Sequence, residues 1–585
     1  MAPQTGMPAS RPLWVLVLGF APMVPAVVFL LGSYVEPTVW LIRTSLHRLP
    51  AGAVTGGAGW QGETAGSSSY RVAMHSGFGG AIGYAFSLLW LPLLAVALCA
   101  PLLALCAHRV GVIGRRFVLA ILALPLVAYA PSAIVGAWRV GRFTIPGASI
   151  PGAVGAGAVN AGAAGVAGAV RLACGLIAFG PACALAVPLY LAALRRRDRG
   201  GVPWPAFGLA SAIAVLATIA VTLQEFTTPF MLTGGGPNRA TTTPVLAMFA
   251  TGFSQRSFGP AAAAATLLLL MLACLGIAAT ILIIVTGARL EVDRDQRCPD
   301  QPASWERSGL LAAMAMKFLV MTVLIISGYA LWPWLGALFA GARPPDGSSS
   351  AAAMFAHTWL PPLVSTIIGV GTAAIAGYGI GALRPLGRRS ELLLLPFAPF
   401  LFVGVGPLAL RAYADGATAS RLDSMLGLVP PTRLVIPALF IFTLLARGQA
   451  IRAELSRRDG HPMEWGRAYL RPALPMLGIV TATTWVVSAQ DLLWPAISSS
   501  GRLITGPVRL YELLGGGGLR GPVPVSLAIP GWLLVVLLVA AVVAQLTYLN
   551  RVALRVGGAQ EQGWENVGRD EATDPRHARD KVRLD

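Results

Sequence analysis

The sequence predicts an all-α polytopic membrane protein with about twelve transmembrane helices. Hydrophobic residues make up 55% of its 585 residues, charged residues make up only 12%, and the mean hydropathy is +0.68. Such a composition is typical of a chain whose main solvent is lipid. A helix needs about 20 apolar residues to cross the hydrocarbon core of a bilayer, and about twelve windows of the sequence meet this requirement.

The predicted transmembrane helices fall into two sets of six, separated by the polar stretch Ala288 to Ser308. Charged residues and clusters of glycine and proline mark the breaks between helices. The first set lies near 14–35, 81–107, 117–138, 171–194, 206–232 and 260–287. The second set lies near 311–341, 358–383, 391–410, 433–449, 473–497 and 522–550.

The two sets are organised alike. In each set a basic segment joins the fourth helix to the fifth, at 195–199 and again at 447–471. Two similar halves in parallel orientation predict a solute path along a pseudo-two-fold axis normal to the membrane. The predicted organisation is a first half at 1–287, a cytoplasmic linker at 288–310, a second half at 311–550 and a charged cytoplasmic tail at 551–585.

The charge distribution predicts the orientation of the chain. The formal net charge is +19, and it comes almost wholly from arginines in short loops between apolar runs, so we expect no nucleic-acid partner. Arginine and lysine are concentrated in alternate segments, which include both basic loops and both termini. This positive-inside pattern predicts a multi-pass protein of the inner (cytoplasmic) cell membrane, embedded in the lipid bilayer, with both termini in the cytoplasm.

The first arm of a bent helical elbow is predicted within residues 453–472. Glu454 and Arg458 are four residues apart with the acid first, which is a favourable pair on one helix face. Gly460 is placed to end that helix.

The second arm of the elbow follows Pro462, which suits the first turn of another short helix because its missing N–H costs little there. Trp465, Ala468 and Tyr469 then share one face of this helix. We therefore expect the elbow to offer an aromatic face to a cytoplasmic partner.

This segment, the EAA-like loop, resembles the EAA loop of bacterial ATP-binding-cassette (ABC) importer permeases. The family pattern is E-A-A, then D-G three residues later, then an aromatic residue and a proline. Here Leu455 and Ser456 replace the two alanines. The resemblance implies two permease units fused in one chain, each with six transmembrane helices, and a coupling loop that docks on a cytoplasmic ABC ATPase dimer. The residues that carry this role are Glu454, Asp459, Gly460 and Trp465.

A second match lies in Leu232 to Thr243, which contains the run Gly234-Gly235-Gly236-Pro237. It resembles the outer loop after the fifth helix of carbohydrate-type (maltose-like) binding-protein-dependent permeases. Three glycines before a proline predict a tight turn with exposed backbone amides. The resemblance implies a lip that contacts an extracytoplasmic solute-binding protein or sugar hydroxyls.

A third match to the same permeases lies in the fifth predicted helix of the second half, which resembles their W-N-x-F-x-W-P type of run. A carboxylate in a membrane helix is costly unless it faces water or a partner. Aromatic rings beside amides and carboxylates suit a polyol solute. With the counterpart run in the first half, the candidate solute path comprises Gln224, Glu225, Trp485, Gln490, Asp491 and Trp494.

Neither catalysis nor a cofactor or metal site is predicted. The cysteines form no C-x-x-C pair, and no two histidines stand at the helical spacing of metal ligands. A Walker A loop needs a lysine after a glycine, and the two lysines, Lys317 and Lys581, do not follow one. We therefore expect a transport subunit that is not itself an enzyme, with ATP hydrolysis on a separate ATPase subunit.

The first-half loop departs from the family pattern, because Leu191 stands where the family has glutamate. Fusion of two permeases in one chain also resembles iron(III)-type and thiamine-type importers. A sugar or oligosaccharide is the first expectation for the small-molecule solute, with ferric ion, thiamine or polyamine as alternatives. A proton-coupled secondary transporter and a membrane-embedded enzyme are the competing classes.

Overall fold

A computed structural model describes residues 19–47, 66–140, 162–195, 204–292, 307–341, 350–458, 460–499, 501, 503–515 and 523–557. Within these ranges, ten helices are long and apolar enough to cross a membrane, and the number rises to twelve if each of two bent helix pairs is one span. The prediction of an all-α, multi-pass membrane protein is confirmed at this level.

The helices are numbered in chain order. In chain order they are α1 (Ala21–Leu46), α2 (Ser68–Val110), α3 (Val112–Val127), α4 (Pro131–Arg139), α5 (Ala163–Leu194), α6 (Trp204–Leu223), α7 (Thr227–Thr233), α8 (Pro244–Ser254) and α9 (Phe258–Val285). They continue as α10 (Gly309–Phe339), α11 (Ala351–Leu383), α12 (Arg389–Phe400), α13 (Val405–Thr418), α14 (Ile436–Arg458), α15 (Gly466–Ala489), α16 (Leu493–Ser498), α17 (Gly506–Gly515) and α18 (Gly531–Arg551).

Two spans that the sequence predicts as straight helices are sharply bent. The axes of α3 and α4 differ by 70°, and those of α12 and α13 differ by 74°. Pro131 begins α4, and Gly404 precedes α13. Because proline lacks an amide donor and glycine weakens a helix, these residues favour a break at each place.

Two further spans are interrupted where continuous helices are predicted. The span Trp204–Thr233 loses helical structure between α6 and α7, and α15 is separated from α16 by a short non-helical segment. Each interruption begins with a glutamine and an acidic residue, Gln224-Glu225 and Gln490-Asp491. The predicted windows at 206–232 and 473–497 thus each contain a break that their hydropathy does not indicate.

The first span, predicted at 14–35, ends later than predicted, because α1 extends to Leu46. The charged residues Glu36 and Arg43 lie inside this helix, where the hydropathy criterion had placed its end. Glu36 forms a 2.8 Å ion pair with Arg411 of α13, which compensates the charge.

A two-stranded antiparallel sheet is the one kind of structure that the sequence reasoning missed completely. Strand β1 (Arg289–Val292) follows α9, and strand β2 (Val552–Arg555) follows α18. Arg289 pairs with Arg555, and Val292 pairs with Val552. We call this pair of strands the clasp. It joins the start of the predicted linker to the start of the predicted tail.

Candidate functional site

The predicted solute-path residues lie at the two helix interruptions. Gln224 and Glu225 occupy the break between α6 and α7, and Gln490 and Asp491 occupy the break between α15 and α16. A break exposes backbone amides at the start of the next helix, and these donors need an acceptor. The acidic residue of each pair is in position to supply one.

Both carboxylates accept hydrogen bonds from such amides. The amide of Thr228 donates to Glu225 Oε1 at 3.1 Å. The amides of Leu493 and Trp494 donate to the two oxygens of Asp491, each at 3.2 Å. A carboxylate at a helix N-terminus is also stabilised by the helix dipole. The local fold thus explains how two acidic side chains are accommodated at these depths.

The capping bonds leave both carboxylates with a free side. Glu225 and Asp491 are both partly exposed. In the part of the chain that the structure describes, neither forms an ion pair. The phenol of Tyr129, between α3 and α4, is within electrostatic range of both acids. The thiol of Cys174 is within range of Glu225. Tyr129 at the first bend is therefore near both interruptions.

Tyr129 was not among the predicted site residues. It stands between Pro125 and Pro131, and two prolines at this spacing in an apolar helix favour a break. This proline pair is the sequence signal that could have found it.

The two glutamines have different surroundings. Gln224 Nε2 donates to the carbonyls of Ala220 at 2.9 Å and Phe402 at 2.8 Å, while its Oε1 accepts from the amide of Gly404 at 2.7 Å. Gln490 Nε2 donates to Ala528 at 3.3 Å, and its buried Oε1 has no hydrogen-bond partner among the described residues. Gln224 therefore ties α6 to the α12–α13 bend.

The two tryptophans also differ. The indole N–H of Trp485 donates to the carbonyl of Trp359 at 2.8 Å, its ring packs edge-on against Trp359, and part of it remains exposed. Trp494 is only 4% exposed, and its N–H donates to the carbonyl of Gly427 at 3.0 Å. These contacts make Trp494 a packing anchor and leave Trp485 able to meet a solute.

The outer loop with Gly234, Gly235, Gly236 and Pro237 is a tight turn. Gly234 and Gly235 have φ of 61° and 91°, values that favour glycine. The expectation of exposed amides is wrong for two of the glycines, because Gly234 donates to Phe230 and Gly236 donates to Thr233.

Three threonines after the turn hold it in place. The hydroxyls of Thr241 and Thr242 donate to the carbonyls of Gly236 and Gly235, and the hydroxyl of Thr243 donates to the carbonyl of Glu225 at 2.6 Å. The loop is thus fastened directly to the interruption between α6 and α7.

The EAA-like loop begins as predicted. Helix α14 ends with Gly460 at φ 79°. The amide of Gly460 donates to the carbonyl of Arg457, and the amide of His461 donates to the carbonyl of Ser456. This is the hydrogen-bond pattern of a Schellman helix end, so the prediction that Gly460 ends this helix is confirmed. Asp459 lies outside the described residues.

Glu454 forms the predicted pair with Arg458, at 3.4 Å, and a longer contact with Arg457, at 3.8 Å. All three side chains are more than half exposed, so the pairs contribute little to stability. The Glu454 carboxylate therefore lies at a surface that a partner can reach.

The second arm differs from the prediction. Pro462 lies in a non-helical segment, and helix starts at Trp465 and runs directly into α15. The aromatic face also has a partner within the chain. Trp465 donates a hydrogen bond to Tyr378 of α11, and the rings of Trp465 and Tyr469 both pack edge-on against Tyr378. Trp465 nevertheless remains 55% exposed.

The first-half counterpart is described only in part. Leu191 lies in the last turn of α5 and is 6% exposed, so it belongs to the core. The residues that follow, 196–203, lie outside the described residues.

Comparison of the chain with protein-family models, with curated proteins and with solved structures finds no match. Within the described ranges, no group of three or more His, Cys, Asp or Glu side chains could hold a metal ion. The site is thus a partly exposed polar region at two helix breaks, with a separate exposed elbow at the end of α14.

Proposed function

We propose that the chain is the fused double permease subunit of an ABC importer, with two six-helix halves around one solute path. The path runs past Glu225, Trp485 and Asp491, and the EAA-like loop couples it to a cytoplasmic ATPase dimer. An extracytoplasmic binding protein delivers the solute, for which a sugar or oligosaccharide is the first candidate.

The repeat of irregular features supports two halves. In each proposed half the third span is bent, by 70° or 74°, and the fifth is interrupted at a glutamine and an acidic residue. The short helix after each interruption packs against the helix after the corresponding bend, α7 on α4 and α16 on α13. Irregular backbone at membrane depth is tolerated where it lines a cavity or is buried in protein. This repeated irregularity is the observation that carries the proposal.

The clasp supports an approximate two-fold relation. Its strands follow the last span of each proposed half, and they pair mutually, Arg289 with Arg555 and Val292 with Val552. A contact of this isologous kind is what a two-fold axis between equivalent segments produces.

The ABC assignment rests on the EAA-like loop. Helix α14 ends at Gly460, and the exposed carboxylate of Glu454 lies about one turn before the last helical residue, Arg458. This arrangement offers a rigid, charged surface to a partner. Because the sequence has no Walker A lysine, the energy for import has to come from another subunit.

The unpaired carboxylates favour a second group of candidates. Glu225 and Asp491 have no ion-pair partner in the described ranges, which suits a cationic solute or a proton as well as a polyol. A fused permease for polyamine, thiamine or ferric ion, and a proton-coupled secondary transporter, are therefore the alternatives.

One reconstitution tests these candidates together. The tagged chain is purified from its native membrane, associated proteins are identified, and the complex is placed in liposomes with maltose or spermidine as the solute. ATP-dependent uptake with a co-purified ATPase supports the importer, and the solute that is taken up selects the class. Uptake driven by a proton gradient without ATP would contradict the importer proposal and support the secondary transporter.

A further inference from the structure

The clasp links the two helices that lead into the basic loops. Strand β1 packs against α14, which ends in the EAA-like loop, and β2 packs against α5, which precedes the first-half basic loop. The two strands are also far apart in sequence, at Arg289–Val292 and Val552–Arg555. A displacement of either helix therefore acts on both strands through their pairing.

Charged side chains fix the clasp itself. Glu291 Oε1 accepts from Arg289 at 3.0 Å, and its Oε2 lies 3.8 Å from Arg555. Arg289 also donates to the carbonyl of Gly557. The amide of Gly557 in turn donates to the carbonyl of Thr286. Arg289 and Glu291 are largely buried, and partly buried charge pairs are screened less than exposed ones.

Arginines also fasten the clasp to the two helices. Arg447 and Arg452 of α14 donate to the carbonyls of Ala288 and Val292. On the other side, Arg555 of β2 donates to the carbonyl of Arg195, the residue after α5, at 3.0 Å.

Backbone contact adds to these bonds. A Cβ atom at Gly448 would overlap the carbonyl of Leu290, so β1 lies directly on the backbone of α14. Arg447 in addition pairs at 3.1 Å with the buried carboxylate of Glu391, which also pairs with Arg384. The strand is thus held against a helix that is itself anchored to α11 and α12.

We propose that the clasp transmits movement of the EAA-like loop to the first half of the chain. This inference rests on the proposed function. The first-half basic loop is a degenerate counterpart of the EAA-like loop. Transmission through the clasp explains how both halves can still move when only the EAA-like loop engages the ATPase.

The test uses two reporter cysteines in the full complex with its ATPase. Thr227→Cys reports on α7 of the first half, and Ala496→Cys reports on α16 of the second half; both positions are partly exposed. The rate of modification by a membrane-impermeant cationic methanethiosulfonate is measured with and without ATP plus vanadate. The chain without a reporter gives the background from its native cysteines.

Gly448→Ala displaces β1, and Gly478→Ala is its matched control, because a Cβ at Gly478 meets nothing within 4 Å. We expect Gly448→Ala to lower the nucleotide response at Thr227→Cys by about fivefold or more, the size of a typical coupling, and to leave the response at Ala496→Cys near its original value. Glu291→Gln, which keeps the side-chain volume, should act in the same direction and serves if Gly448→Ala does not fold.

A disulfide between Val292→Cys and Val552→Cys should form readily, because these residues are directly paired, and it should preserve the response at both reporters. Equal responses in Gly448→Ala, Glu291→Gln and Gly478→Ala would overturn the proposed transmission while leaving the importer proposal intact. If the chain with an intact clasp shows no nucleotide response at either reporter, the importer proposal is overturned instead. Formation of the disulfide would then still show whether the two strands of the clasp pair.

Discussion

The indole N–H of Trp465 donates a 2.8 Å hydrogen bond to the hydroxyl oxygen of Tyr378. This bond connects the start of α15 to α11, across 87 residues of sequence. It gives the EAA-like loop a fixed orientation relative to a second transmembrane helix. The aromatic residues of the elbow thus serve its positioning as well as its outer surface.

Replacement of Tyr378 tests this positioning. Tyr378→Phe keeps the ring contacts with Trp465 and Tyr469 and removes the hydroxyl acceptor, so we expect a loss of about 0.5–1 kcal/mol of local stability and a modest weakening of ATPase binding. Tyr378→Ala also removes the ring and should weaken binding more. The affinity of the purified chain for its ATPase measures both. Unchanged affinity in Tyr378→Ala would mean that the elbow orients itself without α11.

Gly460 provides a sharper test, because its φ of 79° disfavours a side chain. Gly460→Val should disrupt the helix end, since a β-branched residue is strained by at least about 1–2 kcal/mol in this conformation, and should uncouple ATP hydrolysis from import. Gly460→Asn is the control, because asparagine tolerates the left-handed region. ATPase rate and uptake are measured on the same proteoliposomes. Equal loss in both variants would point to a direct contact of the glycine with the partner.

Glu454→Ala separates surface charge from stability. Its ion pairs with Arg457 and Arg458 are exposed, so their loss should change the free energy of unfolding by less than about 0.5 kcal/mol. If the carboxylate contacts the ATPase, binding or coupling should nevertheless fall. Thermal unfolding of the chain and pull-down of the ATPase provide the two readouts. A variant that binds and couples normally would leave Glu454 as a solvated residue.

The role of the two carboxylates in the solute path can be tested with variants that remove the charge. One variant of each pair keeps a hydrogen-bond acceptor for the helix N-terminus, and the other does not. Asp491→Asn keeps one acceptor oxygen, so it can accept from the amide of either Leu493 or Trp494 but not both, whereas Asp491→Ala loses both acceptors at a cost of about 1 kcal/mol. If the charge serves transport, both variants lower uptake, and the alanine variant lowers stability more than the asparagine variant. Normal uptake in Asp491→Asn would assign the side chain to capping alone. Glu225→Gln and Glu225→Ala form the corresponding pair.

The orientation is testable with single cysteines at exposed positions of the two loops. Asn238→Cys, in the outer loop, should react with an impermeant maleimide in intact cells, and Glu464→Cys, in the EAA-like loop, should react only after lysis. Both native residues are exposed, so burial does not limit the reaction. The reverse pattern would invert the topology derived from the arginine distribution.

The presence of the transmembrane helices can be predicted from the sequence because it depends on local composition. For example, the window near 260–287 corresponds closely to α9, and the window near 171–194 ends where α5 ends. The bends and interruptions do not follow from hydropathy, which averages over a window and cannot register a three-residue break. Gln224 shows the difference. Its polarity singles it out in the sequence, but its bonds to Phe402 and Gly404 connect positions about 180 residues apart.

The clasp was unpredictable for a related reason. Each strand has four residues, and its pairing partner lies in a distant part of the chain, so no local pattern distinguishes it from a polar linker. By contrast, the role of Gly460 was predictable, because a helix end of this type is encoded within six consecutive residues.

The separation of the clasp strands in sequence has a consequence for biosynthesis. Val552 follows its partner Val292 by 260 residues, and ribosomes add about 5–20 residues per second. Strand β1 therefore emerges roughly 13–52 s before β2 exists to pair with it. During that interval its unpaired edge is open to incorrect partners, and for more than the first half of it the arginine-rich surface of α14, against which β1 later packs, has not been made either. Closure of the clasp accordingly has to wait for both α14 and β2.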